Sequence, residues 1–303
     1  MRFFFIFFIF FISLAVAGTT LVQTLLAGAD DESIIIRDRS RIVTIGGSIT
    51  EIVYALGQGS NLVGVDTSSI YPESTTHLPK VGYQRALSAE GILSLRPSLI
   101  LATPEAGPLT VIAQLKASGI PVLVLPVEYS VEGARNKIRY VAKVLGVEAK
   151  GEELIRSIDQ DLRVVEQQAA LIRSKPPKVL FIYARGQGTL LVSGRGTAAD
   201  GMIKLARGIN AITDYEGFKP LTAEAAIVAA PDVLLLPSRG LESIGGVDGL
   251  FRLPGLSLTP AGKNRRFIAM DDLYLLGFGP RVGRAIQELM VLLYPELGEG
   301  QRQ

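Results

Sequence analysis

Short apolar runs alternate with amphipathic segments along the first part of the chain. Runs rich in Val, Ile and Leu predict buried strands at residues 41–45, 62–65, 98–102 and 122–126. The first segment between them opens with the sequence SITE at residues 48–51, a capping-box pattern that predicts a helix start. Because strands that alternate with helices are typical of a parallel sheet, this part is predicted to form an α/β lobe.

A helical stretch without strands interrupts this alternation. Residues 131–145 predict one helix, which ends at Gly146. Residues 150–173 predict a second, charged helix of about 36 Å, and Pro176 and Pro177 follow it. Such a helix either bridges two lobes or lies on the surface of one domain, and this segment alone leaves both readings open.

An internal repeat is the strongest signal of domain organisation. Residues 87–101 read LSAEGILSLRPSLIL, and residues 221–235 read LTAEAAIVAAPDVLL. Both contain a hydroxyl residue, a glutamate, an apolar helical turn, a proline at the eleventh position and a hydrophobic strand, with no gap. We therefore predict two lobes with one plan, joined by the helical stretch.

The predicted divisions are a signal peptide (1–17), a lead-in (18–40), an N-terminal α/β lobe (41–130), a helical segment with the interlobe helix (131–175), a C-terminal α/β lobe (176–296) and a tail (297–303).

The first 17 residues have the features of a secretory signal peptide. Arg2 precedes an apolar run, and Ala15-Val-Ala17 fits the small-x-small pattern before a signal-peptidase cut. Residues 18–27 are also fairly apolar, so an uncleaved membrane anchor is an alternative. The pattern favours export with cleavage after Ala17.

The composition excludes several kinds of chemistry. The chain has no cysteine, which excludes a lipid-modified cysteine, disulfide bonds, thiolate metal ligands and a cysteine nucleophile. Its formal net charge of +2 gives no indication of a nucleic-acid surface. His77 is the only histidine, and no complete nucleophile-elbow, dinucleotide-binding or phosphate-binding loop motif is present.

Tyr83 and Arg85 form the pair with the most distinctive chemistry. A nearby cation favours the phenolate form of tyrosine, and tyrosine is a known protein ligand of haem iron. Taken alone, the pair more often means a packed tyrosine beside a surface arginine. Arg239 follows a predicted strand at residues 233–236, at the edge where such sheets bind ligands. It is therefore a candidate to meet an anionic group of a ligand.

Glu90 and Glu224 occupy matching positions in the repeat. A carboxylate in the first turn of a helix is stabilised by the macrodipole, and this alone can explain both residues. The second reading is that two acidic groups, one in each lobe, dock onto a positively charged partner with two-fold symmetry.

Several separated motifs together resemble the haem-binding periplasmic proteins of bacterial haem ABC importers. The motifs are VGYQRALSAEGILSLRPSLILAT, SRGLESIGGVDGL followed by LPGLSLTPAG, and DDLYLLGFGPR. The resemblance extends over residues 41–295. It implies the class III periplasmic binding protein fold, in which two Rossmann-like α/β lobes with parallel central sheets are bridged by one long helix.

The resemblance also implies specific roles. Tyr83 would be the axial ligand of the iron of ferric haem b, and Arg85 would steady Tyr83 or a haem propionate. Glu90 and Glu224 would contact arginines of the dimeric ABC permease. Some relatives have a second ligand, a histidine of the C-terminal lobe, which residues 184–196 of this chain lack.

The resemblance therefore predicts that a monomer captures haem in the periplasm and delivers it to the permease, by binding and without catalysis. The alternatives within this fold are a cobalamin-binding or a ferric-siderophore-binding protein. A membrane-anchored sensor or structural protein is an alternative of another class, and an oxidoreductase on a similar plan has the least support.

Overall fold

The computed structural model describes residues 36–186, 188 and 190–299. The compact unit that begins at Asp38 contains two large β-sheets, each the centre of one lobe, and a small two-stranded sheet. The predicted signal peptide, most of the lead-in and the end of the tail lie outside the described residues. Among the helices that the structure does describe, none is long and apolar enough to cross a membrane.

The N-terminal lobe is built on a parallel sheet of four strands in the order β2-β1-β5-β6. Leu, Ile and Val fill its central strands, which are buried because helices cover the sheet. A separate two-stranded hairpin, β3–β4, follows β2. The elements are β1 (Ile42–Ile45), α1 (Gly47–Ala55), β2 (Leu62–Val65), β3 (Gly82–Tyr83), β4 (Ala86–Leu87), α2 (Ala89–Ser94), β5 (Leu99–Ala102), α3 (Leu109–Ala117) and β6 (Val122–Val124), with short 3-10 turns at Gly59–Asn61 and Glu73–His77.

The start of α1 differs from the prediction. The helix begins at Gly47 after Gly46, whose φ of 113° is strained for residues with a side chain, and no side chain caps it. Ser48 and Glu51 lie inside the helix and are not a capping box, so that prediction is wrong. The local pattern was misleading because both side chains bind groups that are distant in sequence.

Two helices connect the lobes. Ser130 caps α4 (Val131–Leu145) by accepting a hydrogen bond from the backbone N–H of Gly133. The second helix, α5 (Glu148–Ala169), has 22 residues and is therefore about 33 Å long. A Cβ at Gly151 would lie 2.6 Å from the Cβ of Ala142, so α4 and α5 pack closely there because position 151 is glycine.

The C-terminal lobe is built on a sheet in the order β10-β8-β7-β11-β12, with β9 also paired to β7. Its centre is parallel, whereas β8 and β10 are antiparallel additions that the sequence did not predict. The fold class is confirmed. The elements are β7 (Lys178–Ala184), β8 (Leu190–Ser193), α6 (Ala198–Leu205), β9 (Ile209–Asn210), β10 (Phe218–Pro220), α7 (Ala223–Ala229), β11 (Val233–Pro237), α8 (Ser238–Ser243), α9 (Gly246–Arg252), α10 (Pro260–Lys263), β12 (Phe267–Met270), α11 (Asp272–Leu276), α12 (Val282–Leu293) and α13 (Glu296–Glu299), with a 3-10 turn at Leu256–Leu258.

The sequence repeat is also a repeat of backbone structure. Ser88 and Thr222 cap α2 and α7 in the same way, each accepting a hydrogen bond from the backbone N–H three residues later. Arg96 and Ala230 each precede the proline of the repeat, and both adopt left-handed conformations, with φ of 46° and 43°. The two segments therefore have one local design, one in each lobe.

Glu90 and Glu224 lie in the first turns of α2 and α7, and both are exposed. Their carboxylates are therefore at the surface of the two lobes, at equivalent places of the repeat. Exposure leaves them accessible to a partner.

Lys137 of α4 lies at the junction of the lobes. It is 6% exposed, and its Nζ donates to Ser48 Oγ of the N-terminal lobe at 3.2 Å. The same atom donates to the carbonyl oxygens of Gly277 and Phe278, at 3.2 and 3.3 Å, in the loop after α11. One buried ammonium group therefore joins three segments of the chain.

We expect this lysine to make stability rise with pH above about 8. Burial lowers the pKa of Lys137 to about 8 from 10.5, against the opposing charges of Glu105 and Glu51. In this window the unfolded chain binds the proton and the native protein does not, so the free energy of unfolding increases until about pH 10.5. The difference between the two pKa values corresponds to about 3 kcal/mol.

Urea unfolding of the wild type and of Lys137→Met between pH 7.5 and 10.5 measures this gain. The wild type should gain about 3 kcal/mol relative to the variant across the window. Lys143→Met, which removes an exposed lysine of the same helix, is the control and should follow the wild type. Parallel profiles for the wild type and Lys137→Met would mean that the pKa of Lys137 is ordinary.

Candidate functional site between the two lobes

Tyr83 is presented by the β3–β4 hairpin at the edge of the N-terminal lobe. Gly82 has a φ of 100°, a conformation that glycine allows at this bend. The backbone N–H of Thr67 donates to Gly82 O at 2.9 Å, and that of Gly107 donates to Gln84 O at 2.8 Å. The hairpin is thereby fixed to the loops that follow β2 and β5, at the carboxyl ends of those strands, where such sheets bind ligands.

Arg185 is presented by the C-terminal lobe, directly after β7. The backbone N–H of the next residue, Gly186, donates to Ser243 Oγ at 2.9 Å, and this hydroxyl donates to Gly240 O at 2.8 Å. Both partners belong to α8. The backbone at Arg185 is therefore held within its own lobe.

These two side chains meet across the lobes. Nη2 of Arg185 donates to the hydroxyl of Tyr83 at 3.4 Å. The guanidinium carbon lies 4.9 Å from the ring centre of Tyr83 and 5.5 Å from that of Tyr183, distances typical of cation–π contacts. The cluster therefore contains one tyrosine from each lobe and a shared cation.

Sequence reasoning did not identify Tyr183 or Arg185. The available signal was spacing, since Tyr183-Ala-Arg185 repeats the pattern of Tyr83-Gln-Arg85 in the other lobe. Tyr83 ends β3 of the hairpin, Tyr183 lies near the end of β7, and Arg185 directly follows β7.

Arg85 lies at the exposed tip of the hairpin. Its charge opposes the effect of burial, which raises the pKa of Tyr129 and of Tyr183. Among the described hydrogen bonds, the one to the hydroxyl of Tyr83 comes from Arg185. The expectation that Arg85 steadies Tyr83 or a ligand carboxylate stays a prediction.

Tyr129 lies in the segment between β6 and α4, next to groups of both lobes. Its hydroxyl donates to Glu105 Oε1 at 3.5 Å, and Thr103 Oγ1 donates to the other oxygen of this carboxylate. Its ring lies 5.7 Å from the ring of Phe278. Burial and the Glu105 carboxylate raise the pKa of Tyr129, so this tyrosine stays a neutral phenol at neutral pH.

A cavity of about 410 Å³ opens beside Tyr129. Its other wall is the start of α6, where the buried Asp200 accepts hydrogen bonds from Gly196 N and from Lys204. The volume lies within the range of small-molecule sites. The lining residues are Val127, Tyr129, Gly196, Thr197, Asp200, Gly201 and Lys204.

Arg239 is exposed on α8, at the same edge of the C-terminal sheet as Arg185. The edge is compact because a Cβ at the neighbouring Gly240 would lie 3.2 Å from Ala184 O. Burial raises the pKa of Asp272, and the charge and backbone N–H of Arg239 oppose this effect. The role of Arg239 toward a ligand stays a prediction.

A fourth arginine, Arg281, makes a further contact between the lobes. It donates two hydrogen bonds to the buried carboxylate of Glu51, at 2.7 and 3.0 Å, and its guanidinium lies 3.7 Å from the ring centre of Tyr71. The guanidinium carbon of Arg281 also lies 4.9 Å from the ring centre of Tyr274. Burial, with the Glu288 charge, raises the pKa of Tyr274 to about 12, so this phenol keeps its proton.

Metal ligands other than tyrosine were sought among the His, Asp and Glu side chains of the part of the chain that the structure describes. His77 lies at the exposed end of a 3-10 turn. No group of three or more His, Asp or Glu side chains in this part is placed to hold a metal ion. The cluster of Tyr83, Tyr183 and Arg185 is therefore the candidate site that we consider further.

Comparisons with known proteins agree with the fold. The periplasmic haem-binding protein RhuT of Roseiflexus sp. RS-1, in its apo form, is 49% identical, covers 86% of this chain and 100% of that chain, and has a TM-score of 0.82. The periplasmic haem-binding protein BhuT, in complex with two haems, is 44% identical and covers 85% of this chain and 98% of that chain, with a TM-score of 0.80.

Curated relatives are more distant. An uncharacterised ABC transporter substrate-binding lipoprotein of Bacillus subtilis, YvrC, is 29% identical over 86% of this chain and 82% of that protein. The vitamin B12-binding protein of Vibrio parahaemolyticus is 24% identical over 82% of this chain and 87% of that protein. The model of the family described as periplasmic binding protein matches residues 42–274. With most of its length matched, and with two lobes whose facing edges carry the candidate site, the chain belongs to the periplasmic binding protein family.

Proposed function

We propose that this protein captures ferric haem b in the periplasm and delivers it to the permease of an ABC importer. It acts by binding, without catalysis, as a monomer exported through a cleaved signal peptide. The observation that carries the proposal is the phenol of Tyr83 at the edge between the lobes, with the guanidinium of Arg185 on its oxygen. The likeness to RhuT and BhuT, both described as haem-binding, supports the same ligand.

The chemistry of Tyr83 suits ferric iron. Tyrosine is an established protein ligand of haem iron, and the hydroxyl of Tyr83 lies where the two lobes meet. Tyr129 and Tyr274 are poorer candidates because burial raises the pKa of both groups. Tyr83 is therefore the residue that we assign as the axial ligand.

Three arginines near the ends of strands in the two lobes suit a ligand with carboxylates. Arg85, Arg185 and Arg239 are all exposed and come from both lobes. Arginine binds carboxylates through two parallel hydrogen bonds, so these residues suit the two propionates of haem b. This feature favours haem over cobalamin, the alternative within the fold, because cobalamin has no free propionates and its cobalt needs no tyrosinate.

Titration of the purified chain without residues 1–17 tests the ligand. Ferric haem should bind saturably and give the absorption spectrum of a ferric phenolate complex. Cyanocobalamin and a ferric siderophore, titrated in parallel, should not compete at the same concentrations. Binding of either one without binding of haem would overturn the proposal while leaving the fold unchanged.

Glu90 and Glu224 are proposed to dock onto the permease. Both carboxylates are exposed, and they occupy equivalent positions of the two lobes. A two-fold symmetric permease dimer presents the same surface twice, so a paired acidic surface matches paired cationic groups.

A further inference from the structure

An exposed aromatic side chain of the C-terminal lobe lies beside the candidate site. Phe218 of β10 is 45% exposed, although its side chain is large and apolar. Its ring centre lies 6.2 Å from that of Tyr183 and 6.5 Å from that of the buried Phe181. The exposed ring therefore belongs to a packed aromatic cluster and is not an isolated side chain.

This aromatic cluster extends from the core of the lobe to the place where the lobes meet. Phe181 and Tyr183 are two residues apart on β7, so their side chains lie on the same face of the sheet. Tyr183 is nearer the carboxyl end of the strand, where Arg185 follows and contacts Tyr83. Phe218 is thus joined to Tyr83 by a series of three contacts, with distances of 6.2, 5.5 and 4.9 Å.

Pairing with a further strand does not explain the exposed ring. β10 is the first strand in the order of its sheet, and Lys219 and Pro220 follow Phe218 on it. A lysine and a proline are features that protect an edge strand from pairing, since proline has no N–H to donate and the lysine charge repels an apolar partner. The ring of Phe218 is therefore available to a small ligand at the candidate site.

We propose that Phe218 contacts the conjugated ring of the ligand and thereby selects planar tetrapyrroles. This inference rests on the proposed function. Aromatic rings attract one another in offset-stacked and edge-to-face arrangements, and Phe218 offers such a surface next to Tyr183. The corrin ring of cobalamin is not fully conjugated, and a ferric siderophore has no macrocycle of this kind, so the contact favours a porphyrin over both alternatives.

Recognition of the ring and recognition of the iron have different experimental signatures. Loss of an aromatic contact weakens the binding of every planar porphyrin, with or without a metal ion. Loss of the iron ligand weakens the binding of the metal complex alone. Protoporphyrin IX has the ring and the propionates of haem without the iron, and it therefore distinguishes the role of Phe218 from that of Tyr83.

The test measures the dissociation constants of ferric haem and protoporphyrin IX for the wild type, Phe218→Ala and Phe218→Trp. Phe218→Ala should bind both ligands about tenfold more weakly, because the contact with a large aromatic side chain is lost. Phe218→Trp keeps an aromatic surface and should bind both within about twofold of the wild type. The stoichiometry is recorded in each titration, because partial misfolding lowers the number of sites and leaves the dissociation constant of the folded molecules unchanged.

Ile209→Ala is the matched control. Ile209 is 46% exposed on β9, which pairs with the same strand β7 at its opposite end, near Lys178. This variant loses a similarly exposed apolar side chain of the same sheet. It should bind both ligands with the affinity of the wild type.

The possible results separate this inference from the proposed function. Wild-type affinity of Phe218→Ala for both ligands, weakening that is confined to ferric haem, or equal weakening by Ile209→Ala would overturn the role of Phe218. Haem binding by the wild type would still stand in each of these cases. A wild type that does not bind haem would overturn the proposed function, and the role of Phe218 with it.

Discussion

Replacing Tyr83 by phenylalanine is expected to abolish the phenolate band and to weaken ferric haem binding about 100-fold. The loss corresponds to about 3 kcal/mol and reflects removal of the iron bond, because the ring that contacts Arg185 is retained. Titration monitored by absorption measures both effects. Tyr71→Phe and Tyr274→Phe remove phenols near Arg281 and should leave the band in place.

The iron-free porphyrin provides an internal control for this result. Protoporphyrin IX has the propionates and the ring of haem but no metal, so it should bind the wild type and Tyr83→Phe equally. Unchanged ferric haem binding by Tyr83→Phe would move the iron ligand elsewhere, with Tyr183 and His77 examined next. If Tyr83→Phe weakened the binding of haem and of protoporphyrin equally, the substitution would have damaged the binding site, and Tyr83 would not be the iron ligand.

Removing both Glu90 and Glu224 should stop haem delivery without affecting haem binding. In transport measured with the cognate permease in proteoliposomes, the double alanine variant should be at least about tenfold slower, because two charge-assisted contacts are lost. Each single variant should fall between the double variant and the wild type. The affinity for haem should stay the same, since both carboxylates are exposed on the outer helices α2 and α7.

A charge-matched control is available on α5. Glu148→Ala/Glu153→Ala also removes two exposed carboxylates and changes the net charge equally. This variant should transport haem at the wild-type rate. Equal slowing in both double variants would mean that net charge governs delivery, and normal transport by Glu90→Ala/Glu224→Ala would contradict the docking proposal.

The fold class was predictable because it depends on local patterns. The apolar run at Leu62–Val65 forms β2 as predicted, since a buried parallel strand needs little beyond such a run. The sequence repeat predicted that Ser88 and Thr222 occupy equivalent positions, and both residues cap the helix that follows them. The antiparallel strands β8 and β10 escaped prediction because their short sequences, Leu190–Ser193 and Phe218–Pro220, have no distinctive period.

The candidate site was only partly predictable. Tyr83 was identified from its neighbour Arg85, but the guanidinium on its hydroxyl belongs to Arg185, 102 residues later. Glu51 was assigned to a helix cap because a local pattern fitted, whereas its partner is Arg281. Contacts of this kind depend on how the two lobes pack together. The periodicity of the sequence and the spacing of its motifs contain no information on this packing.

The ion pair of Glu51 and Arg281 also constrains the order of folding. The two residues are 230 positions apart, so Glu51 emerges during synthesis or export long before its partner. A buried carboxylate without its partner costs several kcal/mol, so burial of Glu51 in the middle of α1 is unfavourable until Arg281 is available. This contact between the lobes therefore cannot form before residue 281 has been made, and a chain truncated before Arg281 lacks it.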